Sequence, residues 1–161
     1  MRNFKIIPLS AETANEIRST KKDFLGNDIV VQTANGAGPC RQSLQPFIPG
    51  KDKRILLSYS PFSKPGLFAE TGPIFIYENE VASYRDIYRF PAAIKSDKIN
   101  FPLSLIGYNS NDNMVYTKLV GDEDVEDLIE QIFDTRADIH YLHVRNSEAC
   151  CFICKVDRRN N

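Results

Sequence analysis

The clearest periodicity in the chain lies between Asp122 and Asp134. Val125, Leu128, Ile129, Ile132 and Phe133 recur at i, i+3, i+4, i+7 and i+8, which lays a single apolar stripe along a helix. Gly121 stops the segment before it, and Asp122, Glu123 and Asp124 put negative charge at the end of the helix where the macrodipole favours it. A second helix is predicted from Ala11 to Lys21, with Ser10 as N-cap, Glu12 in the first turn and Lys21-Lys22 at the C-terminal end. Helical spacing of Tyr84, Ile87 and Tyr88 predicts a third, short helix from Ala82 to Arg89.

Elsewhere the apolar residues fall in the short or alternating runs of strands. Phe4 to Leu9, Asp28 to Thr33 and Arg54 to Tyr59 are three such runs, and the β-branched residues of the second suit a pleated surface. Ile74-Phe75-Ile76-Tyr77 is continuously apolar, which predicts burial on both faces. Leu103 to Tyr108 and Met114 to Val120 flank Asn109-Ser110-Asn111-Asp112-Asn113, turn formers between two apolar runs and hence a hairpin. Two last strands are expected at Asp138 to Asn146 and Cys150 to Asp157, followed by a tail, Arg158-Arg159-Asn160-Asn161. Hairpin-linked strands with two or three scattered helices predict an α+β fold, mainly antiparallel, with residues 1–161 forming one domain. Between the strands, Ala34 to Ser43 and Pro61 to Gly66 carry the glycines and prolines of irregular loops.

Composition narrows the partners. At 161 residues, 42% apolar and 25% charged, the chain has the balance of an ordinary globular domain. A net charge of -1 supplies no basic field for a nucleic-acid backbone, and no RNA-stacking motif is present. Neither a signal peptide nor an apolar run of membrane length is read in the sequence, so a cytoplasmic protein is expected. In a reducing compartment the four cysteines are expected as thiols.

Candidate chemistry concentrates near the C-terminus. Both histidines, His140 and His143, and three of the cysteines, Cys150, Cys151 and Cys154, lie there. By strand alternation Tyr141, His143 and Arg145 share one face, and His140, Leu142 and Val144 the other. The first face is either a site or simply a solvated sheet surface. Where Cys151 points depends on the register of the last hairpin: an even loop puts Cys150, Phe152 and Cys154 on the His143 face, and a slip of one residue reverses this. The Ala34–Ser43 loop delivers a second pair, Cys40-Arg41. A thiolate needs a neighbouring cation or imidazole to lower its pKa, so Cys40 or Cys151 as nucleophile with His143 as base is one reading. It requires a thiol within hydrogen-bond reach of the imidazole. Arg41 and Arg145 have the guanidinium fork that holds carboxylate or phosphate. Cys151-x-x-Cys154 resembles half a zinc knuckle, but on a strand positions three apart face opposite ways, so no metal and no cofactor is expected. Gly36-Ala37-Gly38 lacks the spacing of a phosphate cradle.

Several short blocks in order carry a resemblance. Gly38-Pro39-Cys40-Arg41-x-Ser43-Leu44, Pro49-Gly50, Leu56-Leu57-x-Tyr59, Thr71-Gly72-Pro73-Ile74-Phe75, His143-Val144-Arg145-Asn146 and Cys151-Phe152 resemble the bacterial family catalogued as domain of unknown function 1203. The resemblance runs from about Phe4 to Arg158 and implies a small single domain with no established activity or cofactor. It singles out Cys40, Cys151, His143, Arg145 and Asn146, and departs at Ile106-Gly107-Tyr108-Asn109, where the family pattern has Arg-x-Tyr-Asp. The leading expectation is a small-molecule site, anion-binding, formed by Arg41, Arg145 and Asn146 with Tyr59 and Tyr108 as walls. The competing one is a structural or interaction module in which the arginines pin the Gly-Pro loop against the last two strands.

Overall fold

A computed structural model describes residues 1–159. Strands and helices alternate irregularly: β1 (Phe4–Ile7), α1 (Ala11–Thr20), β2 (Val30–Thr33), β3 (Lys53–Tyr59), β4 (Gly72–Tyr77), α2 (Ala92–Lys95), β5 (Leu103–Tyr108), β6 (Met114–Leu119), α3 (Val125–Thr135), β7 (Tyr141–Asn146) and β8 (Phe152–Arg158). They form two antiparallel sheets, one of five strands in the order β1-β8-β7-β5-β6 and one of three in the order β2-β3-β4. The α+β class is as the patterning predicts.

Each sheet has its own apolar cluster. The stripe of α3, from Val125 to Phe133, packs with Leu105, Leu142, Val144 and Val156 of the large sheet. In the small sheet Ile55 pairs with Ile76 and Leu57 with Ile74, and this face meets Ala14 and Ile17 of α1. Ser10 caps α1 by accepting from Thr13 N–H, and Asp124 caps α3 by accepting from Glu126 and Asp127 N–H. Asp122 and Glu123 therefore precede α3 rather than open it. Glu126, buried, ties α3 to the segment before α2. Its carboxylate accepts from Phe90 N–H at 2.6 Å and from Lys95 Nζ at 2.9 Å. Burial alone would push this carboxyl up, but those bonds and Arg2 hold it below the usual range.

Several expectations need correcting. Residues 82–89 form no helix. Their backbone groups bond across the chain instead: Tyr84 N–H donates to Gln42 O, and Ile87 O accepts from Ile6 N–H. The run in β4 is buried on one face only. Ile74 and Ile76 are covered, whereas Phe75 and Tyr77 are half-buried, shielded by Phe47 and the Arg54 guanidinium. Of the expected tail, Arg158 closes β8, and Asn160 and Asn161 lie outside the described residues.

The Ala34–Ser43 loop is irregular as expected, and Gly38 shows why. Its φ is +88°, and a Cβ there would stand 2.4 Å from Phe47 Cδ2. That ring is buried, 4.6 Å from the Tyr77 ring and 6.4 Å from Phe75, so it has nowhere to retreat. Gly38→Ala is expected to lower stability by about 3 kcal/mol, through left-handed strain and overpacking together. The check is a shifted urea midpoint at unchanged m-value.

Candidate functional site

The site grows from the loop that carries Cys40 and Arg41. The backbone of Arg41 is bonded at both ends: its N–H donates to Phe75 O at 2.9 Å, and its carbonyl accepts from Leu9 N–H at 2.9 Å. The side chain then crosses to the other sheet. Nε donates to Phe152 O at 2.6 Å, and Nη1 donates back to Pro39 O. Arg41 is 2% exposed and faces carbonyls rather than a carboxylate. Burial lowers its pKa to about 10, only partly offset by the neighbouring thiols Cys151, Cys40 and Cys154. Nε and Nη1 are therefore taken by backbone carbonyls of the fold. Cys40 points the other way, into the apolar cluster of the small sheet.

The large sheet supplies the rest. Tyr108 pairs with Tyr141, Ile106 with His143 and Ser104 with Arg145, so these residues share the face turned away from α3. This face is not solvated. His143 is fully buried among the rings of Phe62, Tyr108, Tyr141 and Phe152, with centroids 4.7 to 5.2 Å away. Among the described residues neither of its ring nitrogens has a hydrogen-bond partner, and the buried Tyr108 hydroxyl has no hydrogen bond of good geometry, only the Arg145 guanidinium nearby. Burial, with Arg145 and Lys155 nearby, lowers the imidazole pKa to about 3, so it is neutral at any physiological pH. His140 sits just outside the strand end and is exposed.

The register of the last hairpin contains both alternatives. Asn146 N–H donates to Cys151 O, and Arg145 lies opposite Phe152, so the even loop places Phe152 over His143. A bulge between Val144 and Arg145 then shifts the pairing, and Cys154 falls opposite Val144 in the core of the large sheet. There burial pushes its thiol up to about 12. Cys151 stays half-exposed, its Sγ 3.5 Å from Ala149 O. Among the described residues no thiol hydrogen-bonds either nitrogen of His143. Asn146 is taken up by its own turn, accepting from Glu148 and Ala149 N–H and donating to Asn100 O.

What the fold does assemble is a cleft of about 210 Å³ where the β3–β4 connection meets the β7–β8 hairpin. Tyr59, Thr71, Pro73, Arg145, Cys151 and Phe152 line it, with Glu70 at its edge. Tyr108 is fully buried and is not among the lining residues. The Arg145 side chain is 14% exposed. Nη1 donates to Cys150 O at 3.3 Å, and Nη2 sits 2.5 Å from Glu70 Oε1, an ion pair whose angle is not that of a hydrogen bond. Phe62 and Glu70 are the residues the sequence reading missed. Phe62 lies in the Pro61–Gly66 stretch that reads only as an irregular loop, and Glu70 lies beyond it; a lone aromatic between Pro61 and Ser63 is the one local signal.

No helix among the described residues is long and apolar enough to cross a membrane. No curated protein and no solved structure matches the chain. Residues 37–158, which include Arg41, His143, Arg145 and the whole cleft, match the family model described as "Protein of unknown function (DUF1203)". With most of its length inside that match, the chain belongs to the DUF1203 family of proteins of unknown function.

Proposed function

We propose that this protein binds a small anionic molecule in the cleft between the two sheets, with Arg145 as the anion holder. One observation carries the reading. Arg145 is a largely buried cation whose only acidic neighbour within ion-pair distance, among the described residues, is Glu70, and the Glu70 side chain is 57% exposed. A buried guanidinium needs acceptors on its donors, whether an anion or carbonyls. Arg145 has Cys150 O and the Glu70 carboxylate, and an exposed loop carboxylate is easily exchanged for an anion from solution. Tyr59, Cys151 and Phe152 give the cleft the mixed apolar and polar lining of a small-molecule site. Free thiols at all four cysteines support the cytoplasmic assignment.

Arg41 has a different part. With Nε on Phe152 O and Nη1 on Pro39 O, it locks the loop to β8, and the second reading, a structural module, describes this residue well. The cysteine-nucleophile reading gains no support, since it needs a thiol on His143.

Titration with inorganic phosphate, acetate and benzoate, followed by amide shifts in an NMR spectrum, tests the anion reading. Shifts are expected at Thr71, Cys151 and Phe152. Arg145→Gln is expected to weaken the tightest of these ligands at least about tenfold, the scale of one charge-assisted contact. Equal shifts in the native protein and in Arg145→Gln, or none in either, would overturn it.

A further inference from the structure

We infer that the molecule this cleft takes is an aromatic carboxylate, its ring seated where Phe62 now lies and its carboxylate where Glu70 now lies. This rests on the anion-binding reading of Arg145 and narrows it to a chemical class.

The loop itself displays the shape of the ligand. Phe62 presents its ring to Tyr108 at 5.2 Å and 83°, and to His143 at 4.9 Å and 68°, both edge-to-face contacts. Glu70, from the same β3–β4 connection, sets Oε1 2.5 Å from Arg145 Nη2. One loop thus places an aryl ring and a carboxylate on adjacent parts of one sheet face.

That loop is held weakly. Among the described residues, the hydrogen bonds of Pro61 to Glu70 stay inside the loop: Ala69 N–H to Gly66 O, and Phe62 N–H to Ser60 Oγ. Besides the Phe62 ring, two ion pairs tie it down, Glu70 with Arg145 and Lys64 with Asp112 at 3.9 Å. A hollow of about 320 Å³ is lined by the loop's own residues alone, and Leu67 at its tip is 98% exposed. Few contacts oppose its displacement.

Under the loop lies hydrogen-bonding capacity that Phe62 cannot meet. Among the described residues both His143 nitrogens are buried without partners, and the Tyr108 hydroxyl makes no hydrogen bond of good geometry, with the Arg145 guanidinium as its polar neighbour; both residues are 0% exposed. Native interiors rarely leave such groups unpaired, and a cluster of them on one face marks a place where something polar binds. A ring hydroxyl on the ligand would reach groups that a phenyl ring leaves empty, so hydroxylated aromatic acids should be preferred.

The test uses the full chain and four probes: acetate, inorganic phosphate, benzoate and 4-hydroxybenzoate, titrated by calorimetry or NMR. Native protein is expected to bind benzoate about tenfold tighter than acetate, and 4-hydroxybenzoate tighter still. Phe62→Ala empties the ring seat and should tighten benzoate about fivefold while leaving acetate within about twofold. Glu70→Gln should tighten every carboxylate. If acetate and benzoate bind alike, and both are lost in Arg145→Gln, the anion reading stands and the aromatic class falls. If no carboxylate binds even in Glu70→Gln, both fall. Thermal melts check that the variants are folded; should Phe62→Ala fail to fold, the benzoate-to-acetate ratio of the native chain still decides.

Discussion

Arg41→Ala is expected to unfold near 10 °C below the native protein, a loss of about 3 kcal/mol for a chain of this size. Two buried carbonyls, Pro39 O and Phe152 O, lose their donor, at about 1–3 kcal/mol each. The aliphatic stem of a residue 2% exposed leaves a gap worth about 2–3 kcal/mol more. Against this, the charge itself is unwelcome. A folded-state pKa of about 10 instead of 12.5 corresponds to about 3 kcal/mol of burial penalty at neutral pH, which the substitution relieves. The net is still a loss, because the orphaned carbonyls and the gap together outweigh the relieved charge. Arg41→Met separates the contributions: it fills most of the volume, carries no charge and leaves the carbonyls unpaired, so its loss should be about half that of alanine. Anion binding should be unchanged in both, as Arg41 is not among the residues that line the cleft. An Arg41→Met protein as stable as the native one would mean that the carbonyls find water, and that the loop is not locked by this side chain.

The two arginines were indistinguishable in sequence, and the structure separates them by what fills their forks. Both were candidate anion holders on residue type. Which of them is free to act depends on contacts between residues far apart in the chain, Arg41 with Phe152 and Arg145 with Glu70. Local patterning does not report such contacts. It does report α3, where five apolar residues at helical spacing and an Asp cap define an amphipathic helix. Ser10 and its helix were legible for the same reason, a local hydrogen bond made by a local residue.

The failures share a cause. Tyr84, Ile87 and Tyr88 have helical spacing, yet Gln42 and Ile6 bid for the same backbone groups and the helix does not form. The hairpin register was open in sequence because a bulge, which adds one residue to one strand, carries no dependable composition signal. Its consequence is large: Phe152 stays on the His143 face, and Cys154 is turned into the opposite core. Cys40 stands beside Arg41 in sequence but, at the start of a turn closed by Leu44 N–H on Cys40 O, points into the other cluster. The hydrogen bond between a thiol and His143 that a cysteine nucleophile requires is not made among the described residues.

His143 should make the protein measurably less stable between pH 7 and pH 5, where few carboxylates titrate. The unfolded chain binds a proton at the ordinary imidazole pKa of 6.5, whereas the folded one resists until about 3. Protons therefore favour the unfolded state as pH falls through 6.5, at a limiting slope of about 1.4 kcal/mol per pH unit, or about 2 kcal/mol from pH 7 to pH 5. Glu126, whose carboxyl is held low, adds its own loss only at more acid pH. His143→Leu keeps the volume, removes two unpaired nitrogens and leaves no group to titrate there. It is expected to gain about 1–2 kcal/mol at pH 7 and to flatten the curve down to pH 5. Denaturant melts at stepped pH on both proteins measure this directly. A leucine variant that is less stable at pH 7 would show that the imidazole is satisfied in the native state and not poised for a ligand. If the gain is found, the native chain carries a histidine that weakens its own fold in the place where the cleft would meet a ring hydroxyl. Retaining such a residue is the expected trade of stability for binding, and the same variant should then lose its preference for 4-hydroxybenzoate over benzoate while still binding both.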